Sequence, residues 1–415
     1  GEINYDQFMD MVAASAPSVG HCNTMGTASS MNSLAEALGM SLPGCAAIPA
    51  PYRERSQMAY DTGYRSVKLV LEDMKPSHIM TMDAFQNAIV TASAIGASTN
   101  APPHIIAIAK QLDLNLNLDH WEKWGEKIPL LVNLQPAGEY LGEGYFNAGG
   151  VPAVMKELLD NNKLVSKALT VSGKTVKENL INVNCKDRKV IYSYSKPLKE
   201  NAGFLVLQSN FFDTAIMKMS VVSKEFKERY LSDEKKPMEF TVRAIVFDGP
   251  EHYHNEINNP ELKIDENCIL MIRGCGPIGY PGAAEVVNMQ PPDYLLKKGI
   301  TSLPCLGDGR QSGTSESPSI LNVSPEAAAG GGLAIIKNND LIKVDLNNKR
   351  VDLILDDLEI KSRFNELKFN YPSNQTPWQE LAREYTGQLG EGACLDLKEK
   401  YINVAESKGI PRDNH

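Results

Sequence analysis

The texture of the chain changes near Val190, and that change constrains the fold more than any other feature. Beyond it come short apolar segments rich in β-branched residues: VIYSY, GFLVLQ, FTVRAIVF, CILMIRG, LAIIK, LIKVDL and RVDLIL. Gly, Pro, Asn or Asp punctuates most of the gaps, the pattern of successive strands separated by turns. The stretch DLNNKRVDL, with Asn347 and Asn348 at its centre, predicts a hairpin. A β-dominated second half is expected, a barrel or a sandwich.

The first half has a helical period instead. Met31, Leu34, Ala35 and Leu38 fall on one helical face, and Gly39 follows as a C-terminal stop. Further helices are expected over 82–95, 103–112 and 151–159, with a short strand over 128–132 between them. This alternation predicts α/β layers. The expected class is therefore α/β: a layered domain over 1–195, then a β-rich, barrel-like domain over 196–415 ending in a helical and polar tail. A chain of 415 residues is long enough for two such domains.

Charge and cysteine usage narrow the function. A net charge of -9 without any basic stripe argues against a nucleic-acid partner. No apolar run approaches the roughly 20 residues that span a bilayer. The opening GEINYDQFMDMVAASAPS carries acids where a signal peptide would carry bases. Seven cysteines, an odd number without CxxC spacing, point to a reducing, cytoplasmic setting. The first residue is Gly1 rather than Met, so the chain is expected to be a fragment.

Three stretches could carry chemistry. In GHCNTMGTASSMNSLAEALG, Cys22 stands where a helix is expected to start, and a helix N-terminus favours the thiolate. Such a thiolate suits a nucleophile, a metal ligand or an iron–sulfur ligand; a small residue packed in a tight turn is the equal alternative. In RGCGPIGYPGAAEVVNM, Glu285 is expected in the opening of a helix, where a carboxylate suits a hard cation or simply the helix dipole. In LGDGRQSGTSESPSILNVSPEAAAGGGLAI, Ser312 sits in a glycine-rich turn near Asp308, Arg310, Thr314 and Ser315. A hydroxyl held by N–H groups beside a cation can act as base or nucleophile. Gly330 to Gly332 are expected to turn the chain into a strand, LAII.

Other motifs fail on inspection. SGKT lacks the leading glycine of a phosphate-binding loop, since position 168 is Ala. Arg310 stands where a nucleophile elbow around Ser312 would need its first glycine. None of the seven histidines forms an H-x-x-x-H pair of the zinc-protease kind.

Taken together, GHCNTMGTASSMNSLAEALGMSLPG, ASTNAPPHIIAIA, PAGEYLGEGYFNAGGVPAVMKELL, KPLKENAGF, FDTAIMKMSVVS, GCGPIGYPGAAEV and LGDGRQSGTSESPSILNVSPEAAAGGGLA resemble the dihydroxy-acid and sugar-acid dehydratases. The QSGTS and YPGAAEV versions resemble the sugar-acid branch, most of all its pentonate (arabinonate or xylonate) enzymes. The resemblance implies a hydro-lyase that turns a 2,3-dihydroxy acid into a 2-keto-3-deoxy acid, with a 2Fe-2S cluster and Mg2+ as cofactors. It implies Cys22 as one cluster ligand, Glu285 as a magnesium ligand and Ser312, as alkoxide, as the base. It further implies that Thr314 and the C-terminal His415 bind substrate. A homo-oligomer is expected because apolar helices such as HIIAIA must be covered, and charge and hydropathy leave no nucleic-acid or membrane partner expected.

The departures matter too. The resemblance implies a leading segment that carries two more cluster cysteines and further magnesium ligands, and the chain is expected to lack it. Glu316 replaces a usual glycine and is expected to face solvent; Cys275 is expected to be a packed small residue. The alternatives are a branched-chain dihydroxy-acid dehydratase, or a catalytically incomplete fragment with a binding or assembly role.

Overall fold

A computed structural model describes residues 3–15, 18–367, 376–395 and 397. The architecture is mixed α/β, a helical N-terminal region followed by a β-rich, barrel-like region. The chain forms two compact units, each assembled from separated segments: 1–101 with 120–204 and 219–221, and 102–119 with 205–218 and 222–415. Among the described residues no helix is long and apolar enough to cross a membrane.

Helices dominate the first unit. Thr27–Ala37 forms as its period predicts, and Gly39, at φ +82, ends it by a left-handed turn that a side chain would strain. Met82–Ile95 is buried almost throughout, with Asn87 clasping Val165 through both its amide oxygen (2.7 Å) and its amide nitrogen (3.1 Å). Gly150–Asp160 is also helical; the helix Ala101–Gln111 falls, from residue 102 on, in the second unit. The expected strands over 128–132 and VIYSY do not form; isolated bridges stand there instead. The reason is that successive residues bond to different segments. Leu130 pairs with Lys199, Leu131 donates to Ala94 at a helix end, and Tyr192 donates to Leu131, so no ladder can propagate.

The second unit holds an eight-stranded sheet: β1 (Phe204–Leu207), β2 (Thr214–Lys218), β3 (Glu239–Asp248), β4 (Cys268–Arg273), β5 (Cys305–Gly307), β6 (Ile320–Ser324), β7 (Leu341–Asp345) and β8 (Arg350–Leu353). Their order is β1-β2-β6-β5-β4-β3-β7-β8. A bridge between Gln208, just past β1, and Arg350 of β8 joins the two edges, so the sheet is nearly closed. The expected hairpin is β7–β8, its turn held by the Asp345 carboxylate, which accepts the Asn348 N–H at 3.0 Å.

The middle of the sheet positions the chemistry. β3, β4, β5 and β6 pair in parallel, so β4 and β5 end at the same edge. Parallel strands covered on both faces need continuous apolar sequence, which CILMIR supplies with five of six residues buried. Ile245, Phe247, Leu270, Ile272, Cys275, Val287, Leu303 and Cys305 form the core beneath that edge. Cys275 is buried, as expected.

LAII is a 3-10 turn, Gly332–Ile335, rather than the expected strand. A Cβ at Gly331 would collide with the Pro325 carbonyl and one at Gly332 with that of Phe211, so the chain passes too close for a side chain. Arg273 then takes the carbonyls of Leu333, Ala334 and Ile336 at 2.9–3.1 Å, the groups a strand would have offered to a neighbour.

Candidate functional site

The glycine turn after β4 and the loop after β5 lie side by side because their strands are adjacent and parallel. Two buried carboxylates shape them. Asp308 is fully buried and accepts the backbone N–H groups of Gly274, Cys275 and Ala327, each at 2.9 Å. Burial pushes its carboxyl up, against three donors that favour the anion. Glu326 accepts the N–H groups of Ile278 (2.9 Å) and Gly279 (2.8 Å) and pairs with the Gln388 side-chain amide. Burial raises its carboxyl to about 7. Sequence reasoning placed Asp308 near Ser312 without a role and passed over Glu326, which leads into a 3-10 turn, Ala327–Ala329.

Ser312 is half-buried on this frame. Its Oγ lies 2.7 Å from Thr314 Oγ1 and accepts the Thr314 N–H at 3.3 Å. Thr314 is exposed, and so is Glu316, as expected. Arg310, the neighbouring cation, spends its Nε–H on the Ala283 carbonyl (2.6 Å).

Glu285 does not open a helix. It lies in an irregular segment that reaches helical conformation only at Asp293–Leu296. Gly282 and Ala283 both take left-handed conformations, and Val287 donates to the Arg310 carbonyl instead of to its own segment. Asn288 links the two loops: its Nδ2 donates to the Glu285 carbonyl (2.8 Å), and its Oδ1 accepts the Ser312 N–H (3.1 Å). The structure thus brings Glu285, Ser312 and Thr314 onto one pair of loops. His104, in the helix Ala101–Gln111, joins their electrostatic surroundings. Burial and Arg310 push its pKa below the usual range, and Glu285 opposes them. Nothing in the sequence pattern singled out His104 or Asn288.

Cys22 belongs to the first unit and is exposed. The helix begins at Thr27, capped by Gly26, so Cys22 lies five residues before it and outside the reach of its first turn. Its Sγ stands 3.4 Å from Thr24 Oγ1. The thiol faces a cavity of about 490 Å³, also lined by His21, Asn32, Tyr52, Arg55 and Glu143. Beneath the loop that follows, the buried Glu36 accepts the N–H groups of Gly44 (2.6 Å) and Ala46 (2.8 Å), and burial raises it to about 7.

Among the described residues no group of three or more His, Cys, Asp or Glu is arranged to hold a metal ion. Cys22 offers a single thiol in its cavity and Glu285 a single carboxylate on its loop, fewer donors than a cluster or a magnesium ion needs. His415 lies outside the described residues.

Two family models match the chain: dihydroxy-acid/6-phosphogluconate dehydratase N-terminal over residues 1–179 and its C-terminal counterpart over 189–393. The chain is 56% identical over 415 residues to a D-xylonate dehydratase of Caulobacter vibrioides, covering all of this chain and 69% of that protein. It is 41% identical over 416 residues to an L-arabinonate dehydratase of Rhizobium leguminosarum bv. trifolii, with the same coverages. A dihydroxy-acid dehydratase of Acetivibrio thermocellus is 36% identical over 400 residues, covering 96% of this chain and 70% of that protein.

Proposed function

The chain belongs to the dihydroxy-acid/6-phosphogluconate dehydratase family, and we propose that within this family of hydro-lyases it dehydrates a pentonate to the 2-keto-3-deoxy acid. The observation that carries the reading is the Ser312–Thr314 pair, an oxygen with a hydroxyl at 2.7 Å and a backbone N–H at 3.3 Å, on a loop braced from below by Asp308. The greater similarity to the D-xylonate and L-arabinonate dehydratases than to the dihydroxy-acid dehydratase supports the choice of substrate.

In this reading Ser312, as alkoxide, takes the C2 proton. The electron pair of the C2–H bond forms the C2–C3 double bond, and the C3 hydroxyl leaves as water with the proton that Ser312 has taken, which returns Ser312 to the alkoxide. The enol then gains a proton at C3 and gives up the proton of its C2 hydroxyl, becoming the 2-keto acid. An unassisted serine is too weak an acid for this at neutral pH; the Thr314 hydroxyl and N–H, both able to donate to Oγ, favour the alkoxide. The exposed Thr314 can also meet the substrate.

The proposal includes a 2Fe-2S cluster, with Cys22 as one ligand, and Mg2+, with Glu285 as one ligand. The described residues do not complete either set, so the steps above use the chain's own side chains alone. A cytoplasmic homo-oligomer completes the proposal.

The test is an anaerobic assay of 2-keto-3-deoxy acid formation with iron, sulfide and magnesium supplied. Xylonate, arabinonate and a branched-chain dihydroxy acid are compared, with Ser312→Ala beside the unaltered chain. Turnover of a pentonate that Ser312→Ala abolishes is expected. No keto acid from either pentonate, or full activity in the variant, would refute the reading.

A further inference from the structure

Glu285 and Ser312 sit on separate loops, in residues that belong to no helix or strand. Their relative position therefore depends on discrete contacts. Two of these are made by backbone or by Arg310: Val287 N–H to the Arg310 carbonyl at 3.0 Å, and Arg310 Nε to the Ala283 carbonyl at 2.6 Å. Both act two residues away from the functional groups. The Asn288 side chain differs, because it touches the backbone of both: Nδ2 to Glu285 O at 2.8 Å and Oδ1 from Ser312 N at 3.1 Å.

An amide is suited to this double task, since one end donates and the other accepts. A carboxylate would keep the acceptor for Ser312 and lose the donor for Glu285. Alanine would lose both. We infer that Asn288 is a positioning residue that sets the Glu285 carboxylate against the Ser312 hydroxyl. It touches no reacting atom; it acts through the two backbones it joins.

The consequence is kinetic more than structural. Asn288 is exposed, so removing its side chain leaves no buried cavity and no stranded buried donor. The loops would drift by a fraction of an ångström to an ångström, and a misplacement of that size costs up to about 10²-fold in rate. Substrate capture through groups elsewhere would be spared.

This inference rests on the dehydratase reading, and its test separates the two. Asn288→Ala and Asn288→Asp are compared with the unaltered chain by pentonate turnover, thermal melting and hydrogen exchange of the 310–316 backbone. Asn288→Ala is expected to lower kcat at least about tenfold with KM within about twofold. Its Ser312 amide should exchange faster, and its melting temperature should be unchanged. Asn288→Asp should keep the Ser312 amide protected and recover part of kcat. An unaltered Ser312 exchange rate in Asn288→Ala would overturn the contact. Faster exchange with unchanged kcat, or a loss of kcat that merely follows a lowered melting temperature, would overturn the positioning role. An unaltered chain that turns over no pentonate would refute the dehydratase reading itself and the role with it, while the exchange data still decide whether the contact exists.

Discussion

The Ser312 hydroxyl oxygen lies 2.7 Å from the Thr314 hydroxyl oxygen and also accepts the Thr314 backbone N–H at 3.3 Å. One residue thus brings a hydroxyl and a backbone N–H, each able to donate, to one oxygen through a main-chain turn of three residues. The arrangement separates what the Thr314 side chain does from what its backbone does.

Substitution of Ser312 by Ala should lower kcat by about 10²–10⁴-fold, the usual worth of a general base. Thr314→Val keeps the N–H and loses the hydroxyl, and should cost about tenfold, the worth of one hydrogen bond. Thr314→Ser should restore most of it. Initial rates of 2-keto acid formation measure all three, and equal rates for Thr314→Val and Thr314→Ser would remove the hydroxyl from the argument.

Asp308 has a heavier structural duty. Replacing it with Ala leaves the buried N–H groups of Gly274, Cys275 and Ala327 without their acceptor. At about 1–3 kcal/mol for each stranded donor, the loss should be at least about 3 kcal/mol. Chemical denaturation reads it directly, and a midpoint equal to that of the unaltered chain would contradict the bracing role.

Glu36 and Glu326 predict a dependence on pH. Burial raises both carboxyls from the usual 4.5 to about 7, so the folded state binds their protons more tightly than the unfolded state does. Their contribution to stability is therefore fully present below about pH 4.5 and is lost as pH rises through 7. Melting temperatures of the unaltered chain and of Glu36→Gln, followed from pH 4.5 to 8, isolate the Glu36 part. The advantage of the unaltered chain should shrink as pH rises; an advantage that grows would reverse the sign.

Cysteine alkylation should divide the thiols by burial. Cys22 is exposed, whereas Cys268, Cys275 and Cys305 are buried with thiols pushed up by desolvation, to about 11 at Cys268 and about 12 at Cys305. In the folded protein iodoacetamide should modify Cys22 well before these three, as mass spectrometry of the digested protein would show. Early labelling of Cys305 would contradict its place in the core.

Periodicity over a few residues was enough to locate the helices Thr27–Ala37 and Met82–Ile95, the long strands β3 and β4, and the β7–β8 hairpin, because their apolar patterns carry the period of the element itself. β5 has three residues and no pattern of its own; it exists because β4 and β6 flank it. LAII has the composition of a strand, but Arg273 and the close passage of Gly331 and Gly332 turn it into a 3-10 segment. Composition cannot register a guanidinium sixty residues away.

The candidate site divides in the same way. The sequence by itself offered candidates for chemistry: Cys22, Glu285, Ser312 and Thr314 each carry a suitable group in a glycine-rich or hydroxyl-rich stretch. Tertiary structure decided how they are held. The donors for Asp308 come from positions 274, 275 and 327, those for Glu326 from 278, 279 and 388, and the tie between Glu285 and Ser312 from Asn288. A buried carboxylate or a bridging amide is defined by partners that only folding brings within 3 Å. Local preference acts over a turn or two, whereas such partners are chosen by strand order and register.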